Sequence, residues 1–129
     1  MNKHGRIIIP FGVIPEKHEL LTANFLVERG KEVEFLAPSR AKGVCSPDVL
    51  IDGQRWEIKS PCGGSPRTIE NNFRRAQKQS ENIIFDLRRI RLNEKTAVSK
   101  IKSGFLLHRG NKTRHIMIIT KDHNILDLV

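Results

Sequence analysis

Two carboxylates and a lysine stand close enough along the chain to share one metal-assisted site. Asp48 opens a short apolar run, Val49-Leu50-Ile51, and Glu57 and Lys59 lie in a second, Trp56-Glu57-Ile58-Lys59. Between them sits Asp52-Gly53, a dipeptide suited to a tight hairpin turn because glycine accepts positive φ. Side chains alternate along a strand, so Glu57 and Lys59 fall on one face and Trp56 and Ile58 on the other. A hairpin brings Asp48 toward Glu57, and two carboxylates held together repel unless a cation lies between them. Hard oxygen ligands of this kind suit Mg²⁺, or Mn²⁺ with the same donors. The Lys59 ammonium would then neutralise charge on a phosphate in transition. The competing reading is structural: Asp48 as a turn residue at a strand start, with Glu57 and Lys59 as the solvated side of a two-faced strand.

Pro47-Asp48 followed by Glu57-Ile58-Lys59 resembles the signature of the PD-(D/E)XK nuclease superfamily, which has the restriction-endonuclease-like fold. The longer Trp56-Glu57-Ile58-Lys59-Ser60-Pro61 resembles the tRNA-cleaving branch of the C-terminal toxin domains of contact-dependent growth inhibition (CdiA) proteins. The likeness runs from about Glu19 through Asp86. It implies an α/β fold with an αβββαβ core, a mixed central sheet flanked by helices. It also implies roles: Asp48 and Glu57 ligating Mg²⁺ together with the Ile58 main-chain carbonyl, and Lys59 stabilising the attacking hydroxide and the charged intermediate. A glutamate on the first core helix would orient water or support the cation; Glu19 fits that place best, with Glu16 as the other candidate.

The elements that must position these groups are readable in order. Arg6-Ile7-Ile8-Ile9 predicts a short strand, broken at Pro10. Pro15 suits the first position of a helix running to about Arg29, with Glu16 and Glu19 in its first turn and Gly30 as a C-terminal cap. Glu19 lines up with Ala23 and Leu26 on the inward stripe. Glu32 to Leu36 predicts the first core strand, and the hairpin follows. Gly63-Gly64 reads as a deformable loop beside the site, without the Gly-Lys-Ser/Thr of a P-loop. A second helix over 66–80 has Ile69, Phe73 and Ala76 as its core stripe, bordered by Thr68, Asn72, Arg75 and Gln79. By analogy with related folds, Arg75 and Gln79, with Asn72 behind them, are the candidates to hold the scissile phosphate, and Arg74 and Lys78 belong to the outer, substrate-approaching face. Ordinary helix surface is the alternative. Asn82 to Leu87 predicts a buried parallel strand. A helix over 94–107, a strand over 115–120 and an edge strand over 124–129 complete a single domain over 1–129.

Charge narrows the partner. The chain carries a net +9, and residues 67–114 supply it, with thirteen Lys/Arg against four Asp/Glu. Such a block favours a polyanion, with binding that weakens steeply in salt. No apolar run approaches the roughly 18 residues of a membrane span, and no export signal is visible. Cys45 and Cys62 make neither a disulfide framework nor a four-ligand zinc site. The expectation is a Mg²⁺-dependent endonuclease of nucleic acid acting in the cytoplasm. The resemblance favours tRNA as substrate, and an immunity protein as partner if the chain is a toxin. A DNA endonuclease of mobile-element or junction-resolving type, and a non-catalytic nucleic-acid-binding module, are the alternatives.

Overall fold

In the computed structural model, which describes residues 5–37, 49–76, 81–107 and 113–128, short apolar strands, continuous at the centre in β-forming runs such as Ile83-Ile84-Phe85, build one mixed sheet. Its elements in chain order are β1 (Ile7–Ile8), α1 (Lys17–Val27), β2 (Val33–Phe35), β3 (Val49–Ile51), β4 (Gln54–Lys59), α2 (Pro66–Ala76), β5 (Asn82–Asp86), α3 (Glu94–Leu107), β6 (His115–Ile119) and β7 (Ile125–Leu128). The strands lie side by side in sequence order. β2, β3 and β4 form an antiparallel meander; β4, β5 and β6 run parallel; β7 returns antiparallel at one edge and β1 lies parallel to β2 at the other. The run α1-β2-β3-β4-α2-β5 is the expected αβββαβ core.

Two apolar clusters fix which helix covers which face. Ala23, Phe25 and Leu26 of α1 pack with Phe35, Trp56 and Ile58. On the opposite face Ile69 and Phe73 of α2 and Ala97 and Ile101 of α3 pack with Ile83 and Phe85. The parallel crossovers β4-α2-β5 and β5-α3-β6 therefore place their helices together on one side, leaving the other to α1. Phe73 stacks on Phe85 with ring centroids 6.1 Å apart, pinning α2 to the end of the sheet where β4 and β5 finish.

The hairpin turn forms as its dipeptide predicts. Asp52 and Gly53 have φ of 48° and 85°, the pair of left-handed residues a two-residue type I′ turn needs. Asp52 also anchors the turn to the start of β2: its Oδ1 accepts the Glu32 N–H at 3.0 Å and its own N–H donates to the Glu32 carbonyl at 3.0 Å.

The start of α1 departs from the expectation. Pro15 does not occupy the first helical position; Glu16 is the N-cap and the helix begins at Lys17. The Glu19 carboxylate folds back to accept the Glu16 N–H at 2.8 Å. This capping-box bond satisfies a backbone donor that the helix leaves open, and it sets the start two residues beyond Pro15. At the other end Gly30, at φ 87°, turns the chain off the helix and donates its N–H to the Val27 carbonyl at 3.0 Å.

Candidate active site

β4 sets the geometry. Glu57 pairs with Ile83 and Lys59 with Phe85 in the parallel ladder, so both polar side chains share the face carrying α2 and α3, while Trp56 and Ile58 turn to the α1 face. Lys59 Nζ lies 3.6 Å from Glu57 Oε1, with side-chain exposures of 19% and 3%. The solvated-face alternative does not describe a carboxylate this deeply enclosed. Pro61, itself buried, follows the last strand residues and ends the ladder.

Other expected residues fall as follows. Asp48 lies outside the described residues, as do Lys78 and Gln79. Glu19 sits at the beginning of the helix on the sheet's α1 side, with one oxygen on the Glu16 amide. Glu16 is exposed, and its Oε2 is 3.3 Å from His18 Nδ1. Asn72 is half-buried on α2 and donates to the Thr68 carbonyl of its own helix at 2.7 Å. Arg74 and Arg75 are both exposed in the last turn of α2. Glu57 and Lys59 are thus brought together on the α2 side, with the Thr68–Asn72 stripe on the helix packed against that side. Among the described residues no three His, Cys, Asp or Glu side chains gather into a metal site.

The glycine loop is tied to the chain after β5 at Gly63. The Gly63 carbonyl accepts the N–H groups of Arg91 and Leu92 at 3.2 and 3.3 Å. A Cβ there would fall 2.5 Å from Thr68 Oγ1, so the loop lies directly on the start of α2.

Two arrangements at the end of β5 lay beyond the sequence reading. Buried Asp86 accepts Thr22 Oγ1 at 2.7 Å and the Arg88 guanidinium through Nε at 2.9 Å and Nη2 at 2.7 Å. Burial pushes the Asp86 carboxyl up, but the hydrogen bonds from Arg88 and Thr22 outweigh it and hold the group below its ordinary value. Beside it, Arg89 clamps Ser60: Nε donates to the Ser60 carbonyl at 2.9 Å and to Oγ at 2.8 Å, and Nη2 reaches the carbonyl at 2.6 Å. That clamp fastens the residue directly after Lys59. The sequence signal for the first arrangement was an aspartate ending an apolar strand two residues before an arginine. The second had none, because residues 60 and 89 meet only through the β4–β5 ladder.

Residues 45–125 match the family of contact-dependent growth inhibition CdiA C-terminal domains, well over half of the chain. The chain belongs to that family. The matched span contains β3 through β6 and hence Glu57, Lys59, Asp86 and the Arg89–Ser60 clamp. A search of curated proteins finds no match. Among solved structures, this CdiA C-terminal domain is similar to a chain of a CdiA-CT/CdiI toxin and immunity complex from Burkholderia pseudomallei. The TM-score is 0.67 at 19% identity, covering 95% of this chain and 97% of that one. That likeness is one of fold, and it extends over nearly the whole of both chains. No helix among the described residues is long and apolar enough to cross a membrane.

Proposed function

We propose that this CdiA C-terminal domain is a toxin nuclease of the PD-(D/E)XK type. On this reading it cleaves phosphodiester bonds of RNA, with tRNA the favoured substrate, in the cytoplasm of the cell it enters. The observation that carries the reading is the Glu57–Lys59 pair. Removing a carboxylate and an ammonium from water costs several kcal/mol per ion, which their attraction commonly only offsets, so such a pair is weak evidence for stability. At a strand end beside a basic helix it reads instead as chemistry. The αβββαβ order and the family support the same reading. The toxin–immunity complex to which the fold is similar supports an immunity protein as partner.

The residues fit a hard divalent cation. Glu57 offers a carboxylate and Ile58 a main-chain carbonyl, both oxygen donors of the kind Mg²⁺ prefers. Asp48, the second carboxylate that the resemblance implies, would complete the donor set. A bound Mg²⁺ or Mn²⁺ would supply Lewis-acid polarisation of the scissile phosphate. The chain's own groups do the rest. Lys59, held by Glu57 in the resting site, swings its ammonium onto the phosphate oxygens as negative charge develops there. Glu57 keeps that ammonium aimed. Glu19, expected to orient water, lies on the α1 side of the sheet, across from Glu57 and Lys59, with one oxygen on the Glu16 amide, and takes no part in this step. Asn72, Arg74 and Arg75 of α2, with Lys78 and Gln79 further along the sequence, hold the backbone.

The test is incubation of purified protein with total tRNA and with duplex DNA, each with Mg²⁺ or EDTA. Cleavage of tRNA in Mg²⁺, its loss in EDTA and intact DNA are expected. Cleaved DNA with intact tRNA would move the substrate to DNA, and no cleavage of either would overturn the reading.

A further inference from the structure

On the α1 side of the sheet, where β4 and β5 end, a cleft of about 240 Å³ opens between His18, Ser60, the turn Asp86–Arg88–Arg89 and His123. Its hydrogen-bonding inventory is lopsided. A carboxylate offers about four lone-pair sites, and Asp86 has filled them. Oδ1 accepts Arg88 N–H at 3.1 Å and Nε at 2.9 Å, while Oδ2 accepts Thr22 Oγ1 and Arg88 Nη2, each at 2.7 Å. The cleft's one carboxylate is thereby spent on Arg88 and has no acceptor left for a ligand.

Donors remain. Exposed Arg89 uses Nε and Nη2 on Ser60, which leaves Nη1 directed away from that contact. Ser60 Oγ accepts from Arg89, so its own hydrogen is there to be donated. His18 engages Glu16 through Nδ1, and its Nε2 donates or accepts according to the tautomer. The exposed His123 is set at φ 63°, its carbonyl taken by Arg29 at 2.8 Å. With Asp86 and Arg88 cancelling, Arg89 leaves the lining with a net positive charge. A cavity that offers a guanidinium and a hydroxyl as donors, is positive and has its one carboxylate already satisfied suits a ligand made of acceptor oxygens.

We propose that this cleft is a phosphate-binding subsite, seating a backbone phosphodiester next to the one cleaved at Lys59. Ser60 makes the connection: it follows Lys59 directly, so a strand crossing the end of β4 meets Lys59 on one face and the Ser60–Arg89 clamp on the other. The substrate assignment rests on the nuclease reading; the phosphate chemistry of the cleft does not.

The experiment is an NMR titration of the full chain in EDTA. It follows the ring signals of His18 and His123 and the Arg89 Nε–H against inorganic phosphate and a short single-stranded RNA with and without a 5′-phosphate. All three residues are expected to shift together and saturate. Arg89→Gln and His123→Asn should each weaken the apparent Kd about tenfold, as loss of one charge-assisted donor implies; asparagine tolerates the positive φ at 123. Lys59→Ala should keep the cleft response. Absence of the shifts, or shifts lost in Lys59→Ala and kept in Arg89→Gln, overturns the subsite. A response confined to the 5′-phosphorylated RNA overturns the backbone assignment in favour of a terminal phosphomonoester. If Arg89→Gln disturbs the β4 amides, His18→Gln and His123→Asn carry the test. Failure of the nuclease reading shows separately, as wild-type protein that cleaves nothing yet still titrates at the cleft.

Discussion

Lys59 Nζ stands 3.6 Å from Glu57 Oε1, and the two side chains leave the same face of β4 with the inward-turned Ile58 between them. The alternation of a strand forces this arrangement: a Glu-x-Lys sequence in β geometry cannot avoid placing both groups together. What the fold adds is enclosure. α2 lies over that face through Ile69 and Phe73, and Pro61 closes the end of the strand. The pair is therefore shielded on the side of the core and meets solvent through the lysine.

Lys59→Ala is expected to abolish cleavage. Removing one charge-stabilising donor from a water-poor site costs about 10²–10³ in rate, while a side chain at the mouth of the strand end supports little of the core. Gel assay of tRNA cleavage beside circular dichroism separates the two effects. Unchanged turnover in a folded variant would remove Lys59 from the mechanism.

Metal dependence should follow the carboxylate. EDTA is expected to stop cleavage and added Mg²⁺ to restore it. Glu57→Gln, nearly the same shape without the charge, should lose activity at every Mg²⁺ concentration while remaining folded. A Glu57→Gln enzyme with normal Mg²⁺ response would show that the ion, if used, is held elsewhere.

Asp86 gives stability an acid limb. Its folded pKa lies below its unfolded one, so the unfolded state takes up more protons through that interval. The stabilisation is fully present above the unfolded value, about 3.9, and is lost as pH falls through the lower folded value. Urea unfolding of the wild type should therefore show a midpoint that drops on acidification below about pH 4. Asp86→Ala strands the Arg88 guanidinium and breaks the Thr22 bond, a loss of about 3–5 kcal/mol at neutral pH. In that variant the part of the acid slope due to residue 86 should be gone. Equal slopes in the two proteins would mean that other carboxylates set the limb.

Local patterns made most of the fold legible. The Asp52-Gly53 turn, the alternation in β4, the continuous apolar run of β5 and the Ala97-Ile101-Phe105 phase of α3 each depend on neighbours in sequence. Each element formed within a few residues of expectation. What escaped was long-range or terminal. The N-terminus of α1 was decided by a side chain, Glu19, reaching back to an amide rather than by Pro15. Thr22 meets Asp86 across 64 residues, and Arg89 meets Ser60 across 29. Periodicity marks which face a residue occupies, but not which polar partner waits on that face. Arg88 and Arg89 thus read as an undifferentiated basic exit loop, although one neutralises a buried aspartate and the other grips Ser60 at the end of β4.

The turn that sets the register of Glu57 can be tested through its glycine. Gly53 has φ 85° with open space where a Cβ would project, so Gly53→Ala meets no clash and isolates the backbone term. An L-residue held in the left-handed region costs about 1–2 kcal/mol, and the loss should appear as a lower thermal midpoint. Gly53→Asn, which tolerates that region better, should recover most of it. A one-residue slip in the hairpin would carry Val49 and Leu50 to opposite faces. If register rather than stability is disturbed, Gly53→Ala will lose cleavage at temperatures where it remains fully folded, and Gly53→Asn will restore it. A thermal midpoint unchanged in Gly53→Ala would show that the turn does not need its left-handed glycine.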